Sequence, residues 1–245
     1  MKPSKIRQSV LHLTLSLRIG MGLSAKSVES GGGDHIVLYN IGRFRMAGCG
    51  NLARLMLYSN ANDVVVEMAF EVIAIAQPQF LKQLQGLRFA GVLKIPTFGF
   101  IDGMFRANLK ETGIGLGKEV KMIRNAAKLG FLTTPYVFNV EDAVAITNRG
   151  ADVLVAHTGL TTSGTIDAQT GKTLEQCVGE VQAIKAIAVK LNPDIIVLCH
   201  VGLIAVLDDV RFMLEKVRGL HGFYGASSRE KFPVEKAIKK ITAKF

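Results

Sequence analysis

The sequence predicts an α/β fold with parallel strands, and three observations carry that reading. Short β-branched runs alternate with amphipathic segments along the chain, the pattern of βαβ units whose strands pair in parallel. The 245 residues match the roughly 200–250 that closed α/β barrels use as one domain. No G-x-G-x-x-G turn follows a strand, which removes the main mark of a doubly wound dinucleotide-binding sheet. No Gly/Ser linker or composition break divides the chain. The expectation is one domain over residues 1–245, a closed (β/α)8-type barrel.

Each element has its own signal. Leu11, Leu13, Leu15, Leu17 and Ile19 alternate with His12, Thr14, Ser16 and Arg18, the period of two expected of a strand. The same end carries Lys2, Lys5 and Arg7 and no acidic residue before Glu29, a pattern shared with organelle transit peptides. The alternation favours the strand. Residues 35–40, 91–96, 132–138, 151–157, 195–200 and 220–225 read as further buried strands. Leu174, Cys177, Val178, Val181, Ile184, Ala188 and Leu191 share one helical stripe, as do Val210, Met213, Leu214 and Val217. Asp208 and Asp209 precede the second stripe and suit the positive end of a helix. Pro233 opens a last helix, where its missing N–H is harmless, and Val234, Ala237, Ile238 and Ile241 form the apolar stripe. Residues 118–129 and 141–148 read as helices closed by Gly130 and Gly150. Residues 62–76 and 80–88 read as two helices separated only by Gln77, Pro78 and Gln79. No strand fits in that gap, so the third strand of the barrel is read as missing or degenerate. The glycine-rich stretch 97–117 suits a lid or interface loop.

Composition narrows the function classes. Hydrophobic residues are 49% and charged residues 20%, enough for a sizeable core and too apolar for a disordered chain. No uncharged apolar run approaches the roughly 18–20 residues of a membrane span. Cys49, Cys177 and Cys199 form no C-x-x-C pair, which argues against a disulfide framework or a thiolate zinc site and fits a reducing, cytoplasmic setting. Lys and Arg total 30 against 20 Asp and Glu, for a net charge of +10, so the expected partner is an anion. Lys236, Lys239, Lys240 and Lys244 read as a solvated helix face. The chain has no RNA-recognition signature, no C2H2 spacing and no Trp, which makes nucleic acid the lesser reading.

In parallel α/β folds, ligands sit beyond the carboxyl ends of the strands, so the chemistry is sought there. Gly225, Ala226, Ser227 and Ser228 follow the last strand, with Arg229 next. Small residues let backbone N–H groups approach an anion, and the last βα loop is a recurrent phosphate position. His157 and His200 each close an apolar strand and are candidates for a general acid, a general base or a metal ligand. Arg43 and Arg45 follow the second strand. They can clamp a carboxylate or phosphate, or anchor their loop against Asp63 or Glu67. Asp102 and Arg106 lie in the 97–117 stretch, and Thr161 and Thr162 follow His157. His12, His35 and His221 read as structural, and Glu67 as a paired charge in an apolar helix. No Ser-His-Asp arrangement, H-E-x-x-H or Walker loop is present.

Several of these segments resemble the TIM-barrel family called phosphoenolpyruvate hydrolase-like. The segments are Gly22-Leu-Ser-Ala-Lys26, Tyr39-Asn-Ile-Gly-Arg-Phe-Arg-Met-Ala47, Ile101-Asp-Gly-Met-Phe-Arg-Ala-Asn108, Leu132-Thr-Thr-Pro-Tyr-Val-Phe138, Val153-Leu-Val-Ala-His-Thr-Gly-Leu-Thr-Thr162 and Gly222-Phe-Tyr-Gly-Ala-Ser-Ser228. The similarity runs from about Gly22 to Phe245. It implies an eight-stranded barrel, a homo-oligomer, and activity of the phosphonopyruvate or phosphoenolpyruvate hydrolase class. This chain departs from the family at Leu17-Arg-Ile-Gly-Met-Gly22, where a G-A-G-x-G strand end is usual. It departs again at His200-Val-Gly-Leu203 and at Ser228-Arg-Glu-Lys231. The family's third strand falls at Gln77 to Gln79, where the periodicity already left a hole.

The function expected is that of a hydrolase- or lyase-type enzyme acting on a small phosphorylated or phosphono-carboxylic acid. Its anionic end would lie on residues 225–228 with Arg43, Arg45, Arg106, Thr161 or Thr162. His157, His200 and Asp102 would serve catalysis, and Mg²⁺ could neutralise charge. The ligands of any metal are not legible. A catalytically inactive ligand-binding or protein-interaction module is the alternative, and a basic nucleic-acid-binding protein the second alternative.

Overall fold

The structure is a computed structural model that describes residues 14–19, 21–38, 46, 78–93, 97–160, 162, 171–204, 206–226, 228 and 230–244. In chain order the elements are β1 (Thr14–Ile19), α1 (Gly22–Ser30), β2 (His35–Leu38), α2 (Pro78–Gly86), β3 (Gly91–Val92), α3 (Gly103–Glu111), α4 (Leu116–Lys128), β4 (Leu132–Thr133), β5 (Tyr136–Val137), α5 (Val140–Thr147), β6 (Val153–His157), α6 (Leu174–Leu191), β7 (Ile196–His200), α7 (Leu207–Lys216), β8 (Gly222–Gly225) and α8 (Lys231–Thr242). A short 3₁₀ turn covers Phe98–Phe100. Packing divides the chain into two units. One holds Met1–His12, Val66–His157 and Glu180–Leu198, and the other Leu13–Val65, Thr158–Gly179 and Cys199–Phe245. The helix expected at 62–76 lies outside the described residues. Among the described residues no strand lies between β2 and β3.

In the unit built around β6, helix α4 forms where the apolar spacing predicts and buries Met122, Ile123 and Ala126. Gly130 closes it at φ +81. The Phe131 N–H donates to Ala126 O at 3.1 Å and the Gly130 N–H to Ala127 O at 3.0 Å, a Schellman ending. Asn139 starts α5, its Oδ1 accepting from the Asp142 N–H at 2.8 Å. The single strand expected over 132–138 is instead two pieces. β4 pairs with β3, and β5 pairs with β6, both parallel. The change of partner falls at Pro135, which has no N–H to continue the first ladder. Thr134 N–H still reaches Val92 O, whereas the carbonyl of Pro135 accepts from Val155 N–H. Every residue of β6 is buried. With Ile184 and Ala188 of α6 and Val197 of β7 it makes the core of this unit.

The 97–117 stretch is not a loop throughout, because it contains the 3₁₀ turn, α3 and the start of α4. Helix α3 buries no residue, which is why no apolar stripe announced it. The preceding turn is held by the Glu119 carboxylate, which accepts from the Phe98 N–H and from Thr97 Oγ1.

In the other unit β1 lies between β2 and β8, with Ser16 opposite His35 and Thr14 opposite Gly222. Helix α7 buries Val210 and Met213, and Asp209 accepts from the Val206 N–H at its start. Helix α8 begins two residues before Pro233, which still falls in the first turn, where its missing N–H costs nothing. Its expected apolar stripe is not core: Ile238 and Ile241 are exposed. Helix α1, like α3, buries nothing and was not legible by periodicity. No helix among the described residues is long and apolar enough to cross a membrane.

Two titratable groups stand out here. Burial pushes the Cys199 thiol up to about 12, so it stays protonated at neutral pH. At the start of β2, burial lowers the pKa of His35 below 6.5, and the Asp34 charge only partly opposes this. A lowered histidine pKa means that the unfolded chain binds the proton more readily. Stability should therefore fall as pH drops through about 6.5. In urea titrations between pH 5 and 8, His35→Gln should flatten that slope. An unchanged slope would assign the pH dependence elsewhere.

Candidate functional site

The second unit gathers most of the expected site residues that the structure describes. Strand β7 delivers His200 at its carboxyl end, 6% exposed. The Thr158 N–H donates to His200 O at 3.3 Å, which ties the loop after β6 to the end of β7. His200 Nδ1 lies 2.6 Å from Tyr224 O. A carbonyl oxygen only accepts, so Nδ1 carries the proton, and in the neutral ring Nε2 carries the basic lone pair. The backbone of β8 thus sets the tautomer of a histidine that β7 presents.

The two loops touch at glycines. Gly159 has φ +145, a backbone that other residues rarely adopt. A Cβ on Gly202 would overlap the carbonyl oxygen of Leu160 and lie 2.8 Å from Gly159 O. Only the absence of a side chain at 202 lets the loops approach, and the Thr162 N–H then reaches Gly202 O at 3.4 Å. Beside this contact is a cavity of about 360 Å³, lined by residues that include Thr158, Thr162, Lys172, Cys177 and Val201. At its edge Thr173 caps α6: its Oγ1 accepts from the Gln176 N–H, and Gln176 Oε1 accepts from the Thr173 N–H.

The last βα loop starts beside Tyr224. Gly225 and Ala226 are buried and Ser228 half-buried. Ser227 and Arg229 lie outside the described residues. The Glu230 N–H donates to Ala226 O at 3.2 Å, closing the loop into α8. Glu230 and Lys231 are both 3% exposed, a pair of buried charged residues at the helix start. The Lys231 ammonium lies 4.8 Å from the centre of the Phe232 ring.

The other expected residues have different settings. His157 belongs to the first unit, buried among Phe100, Tyr136 and Phe138 with ring centres 5.0, 4.8 and 4.9 Å away. Asp102 is exposed at the start of α3 and makes no side-chain cap bond there. Arg106 Nη1 donates to Phe98 O at 2.9 Å and Ile101 O at 2.8 Å, and its guanidinium lies 4.2 Å from the Phe98 ring centre. That arginine is engaged in holding the 3₁₀ turn. Arg43, Arg45 and Thr161 lie outside the described residues.

Sequence reasoning passed over Thr158, Lys172, Glu230 and Lys231. Thr158 and the Glu230-Lys231 pair were findable, since each adjoins a strand end or loop already singled out. Lys172 was not, because nothing in its neighbourhood along the chain marks it. No group of three or more His, Cys, Asp or Glu side chains able to hold a metal ion occurs among the described residues. The expected Mg²⁺ therefore finds no ligand set among those residues.

A family model described as phosphoenolpyruvate hydrolase-like matches residues 5–245. The ToMV susceptible protein tm-1(GCR26) of Solanum lycopersicum is 50% identical over 236 residues, covering 89% of this chain and 31% of that protein. The ToMV resistance protein Tm-1(GCR237) of the same species matches with the same identity and coverage. The chain thus spans about a third of the length of these relatives. Among solved structures, the N-acetylmannosamine-6-phosphate 2-epimerase from Clostridium perfringens matches with a TM-score of 0.52 at 11% identity, covering 95% of each chain. At that identity the likeness concerns the fold alone, and the fold class is that of a TIM barrel.

Proposed function

Because the chain belongs to the phosphoenolpyruvate hydrolase-like family, we propose that it acts on a small phosphorylated or phosphono-carboxylic acid at the carboxyl ends of its strands, working as a homo-oligomer. The observation that carries this reading is His200, whose Nδ1 is bonded to Tyr224 O one residue before the Gly225-Ala226 loop. The anionic end of the substrate would rest on the small residues 225–228, where backbone N–H groups can approach and the Ser228 hydroxyl can donate. The buried Lys231 supplies positive charge at that end of the loop. His200 Nε2 would then take the proton of a water whose oxygen attacks phosphorus, while the bond from phosphorus to the pyruvate fragment breaks and that fragment leaves and is protonated to pyruvate; the ring's orientation is fixed before substrate arrives. Positioned general bases of this kind contribute roughly 10²–10⁴-fold.

The names of the two Solanum lycopersicum relatives support a second reading, in which the domain is a binding module within a longer protein. A thermal melt separates the two. Under the enzyme reading, phosphoenolpyruvate or phosphonopyruvate at about 100 times its dissociation constant adds roughly 2.7 kcal/mol and raises the midpoint. Lys231→Gln should shrink that rise, and inorganic phosphate or pyruvate should accumulate with the wild type. A cooperative melt indifferent to both acids, with no product, would leave the binding module as the reading.

A further inference from the structure

We propose that the exposed face of helix α4 docks on the phosphate backbone of double-stranded DNA. The inference is independent of the phosphorylated-acid reading and shares no residue with it. The face lies wholly within the unit built around β6. Lys118, Lys121, Arg124 and Lys128 recur at spacings of three, three and four residues along α4, and all four are exposed. At about 100° per residue they fall within an arc of about 120°. That arc is opposite Met122, Ile123 and Ala126, which hold the helix to the core. The cations therefore form one straight row about 15 Å long.

Its charges set this row apart from an ordinary solvated face, where both signs alternate. The one carboxylate of α4, Glu119, is turned to the 3₁₀ turn, where it accepts from the Phe98 N–H and from Thr97 Oγ1. Asp142 of α5, which packs beside α4, accepts from the Phe138 N–H at 3.3 Å. Among the described residues, no carboxylate pairs with any of the four cations. Like charges at this spacing repel, and Lys118 sits in the first turn, where the helix dipole disfavours a cation. The row thus costs the helix stability, and a polyanion would relieve that cost. Helix α2 lies against α4, its Gln85 Nε2 donating to Leu129 O at 3.1 Å, and carries the exposed Lys82 one turn from Gln85.

The partner's chemistry follows from what the face lacks. Helix α4 has no aromatic side chain, so single-stranded bases would have nothing to stack on. The cationic arc carries no apolar side chain to insert into a lipid surface. Shape recognition of duplex RNA spans about 16 base pairs, far longer than this row. Duplex DNA offers a regular ridge of phosphates, with one negative charge per about 1.7 Å of axis. Phosphate contact carries no sequence information and needs no recognition motif, so the lack of one along the chain does not oppose it.

The test is fluorescence anisotropy of the full chain with a labelled mixed-sequence DNA duplex of about 20 base pairs, from about 50 to 200 mM NaCl. With four phosphates neutralised, affinity should fall about 100-fold over that range, a log–log slope of about −3.6. Changing Lys118, Lys121, Arg124 and Lys128 together to Gln should bring the slope near zero and leave the melting midpoint equal or higher. Changing Lys236, Lys239, Lys240 and Lys244 to Gln alters the net charge equally and should leave affinity and slope as in wild type. If that control lowers the slope as far, net charge rather than this face binds the duplex, and the proposal falls. If the fourfold α4 variant does not fold, Lys121→Gln and Arg124→Gln singly should each reduce the slope by about 0.9, and unchanged slopes overturn the proposal. Absence of binding at low salt, equal binding to phosphatidylserine vesicles, or binding to duplex RNA more tightly than to DNA also overturns it.

Discussion

Gly202→Ala is expected to destabilise the chain by about 3 kcal/mol and to remove the cavity beside the end of β7. The added methyl group would overlap the Leu160 carbonyl and press on Gly159 O, both backbone atoms. No rotamer change relieves such a clash, so the loop after β6 must move. Moving it breaks the Thr162 N–H bond to Gly202 O and leaves Thr158 without its bond to His200 O. Overpacking typically costs about 1–3 kcal/mol and each lost hydrogen bond about 1 kcal/mol, so the combined figure sits at the upper end of single substitutions. Gly179→Ala is the control. Gly179 lies within α6 with nothing inside 4 Å of its added Cβ, and the change should stabilise the chain by about 0.5–1 kcal/mol. Urea denaturation of both variants checks the contrast. A Gly202→Ala protein as stable as wild type would mean that the two loops do not approach as described.

The second large effect concerns His200, where two substitutions separate architecture from chemistry. Asparagine can place its side-chain N–H near the position of Nδ1 and keep the bond to Tyr224 O, but it has no equivalent of Nε2. His200→Asn should therefore fold and still bind a phosphorylated acid, while product release falls about 10²–10⁴-fold. His200→Ala removes the donor as well. It removes the bond to the Tyr224 carbonyl and opens a void beside it, at a cost of about 2–4 kcal/mol. Product release by His200→Asn at the wild-type rate would exclude Nε2 as the base and leave His157 as the candidate. That histidine is enclosed by Phe100, Tyr136 and Phe138.

These contrasts show where local sequence is informative. Helices α4, α6 and α7 were legible because each buries one face, and burial writes its period into the chain. Helices α1 and α3 bury nothing and left no such trace. The α8 stripe misled, because its isoleucines are apolar without being core. The run 132–138 has strand composition throughout, yet Pro135 splits it between two partners, and composition does not name partners. Arg106 was legible as a cation but not as one engaged by the Phe98 and Ile101 carbonyls.

By itself, the sequence determined the α/β class, the order of most strands and helices, and two histidines at strand ends. Each of these rests on residues within a few positions of one another, where periodicity and capping act. Only the tertiary structure decided which histidine is held by a neighbouring strand, and that Thr158 and Lys172 share a cavity. It alone showed that Gly202 must lack a side chain. Those facts join residues 14, 24 and 42 positions apart in the chain (158 with 172, 200 with 224, 160 with 202), and contacts of that range leave no period along the chain.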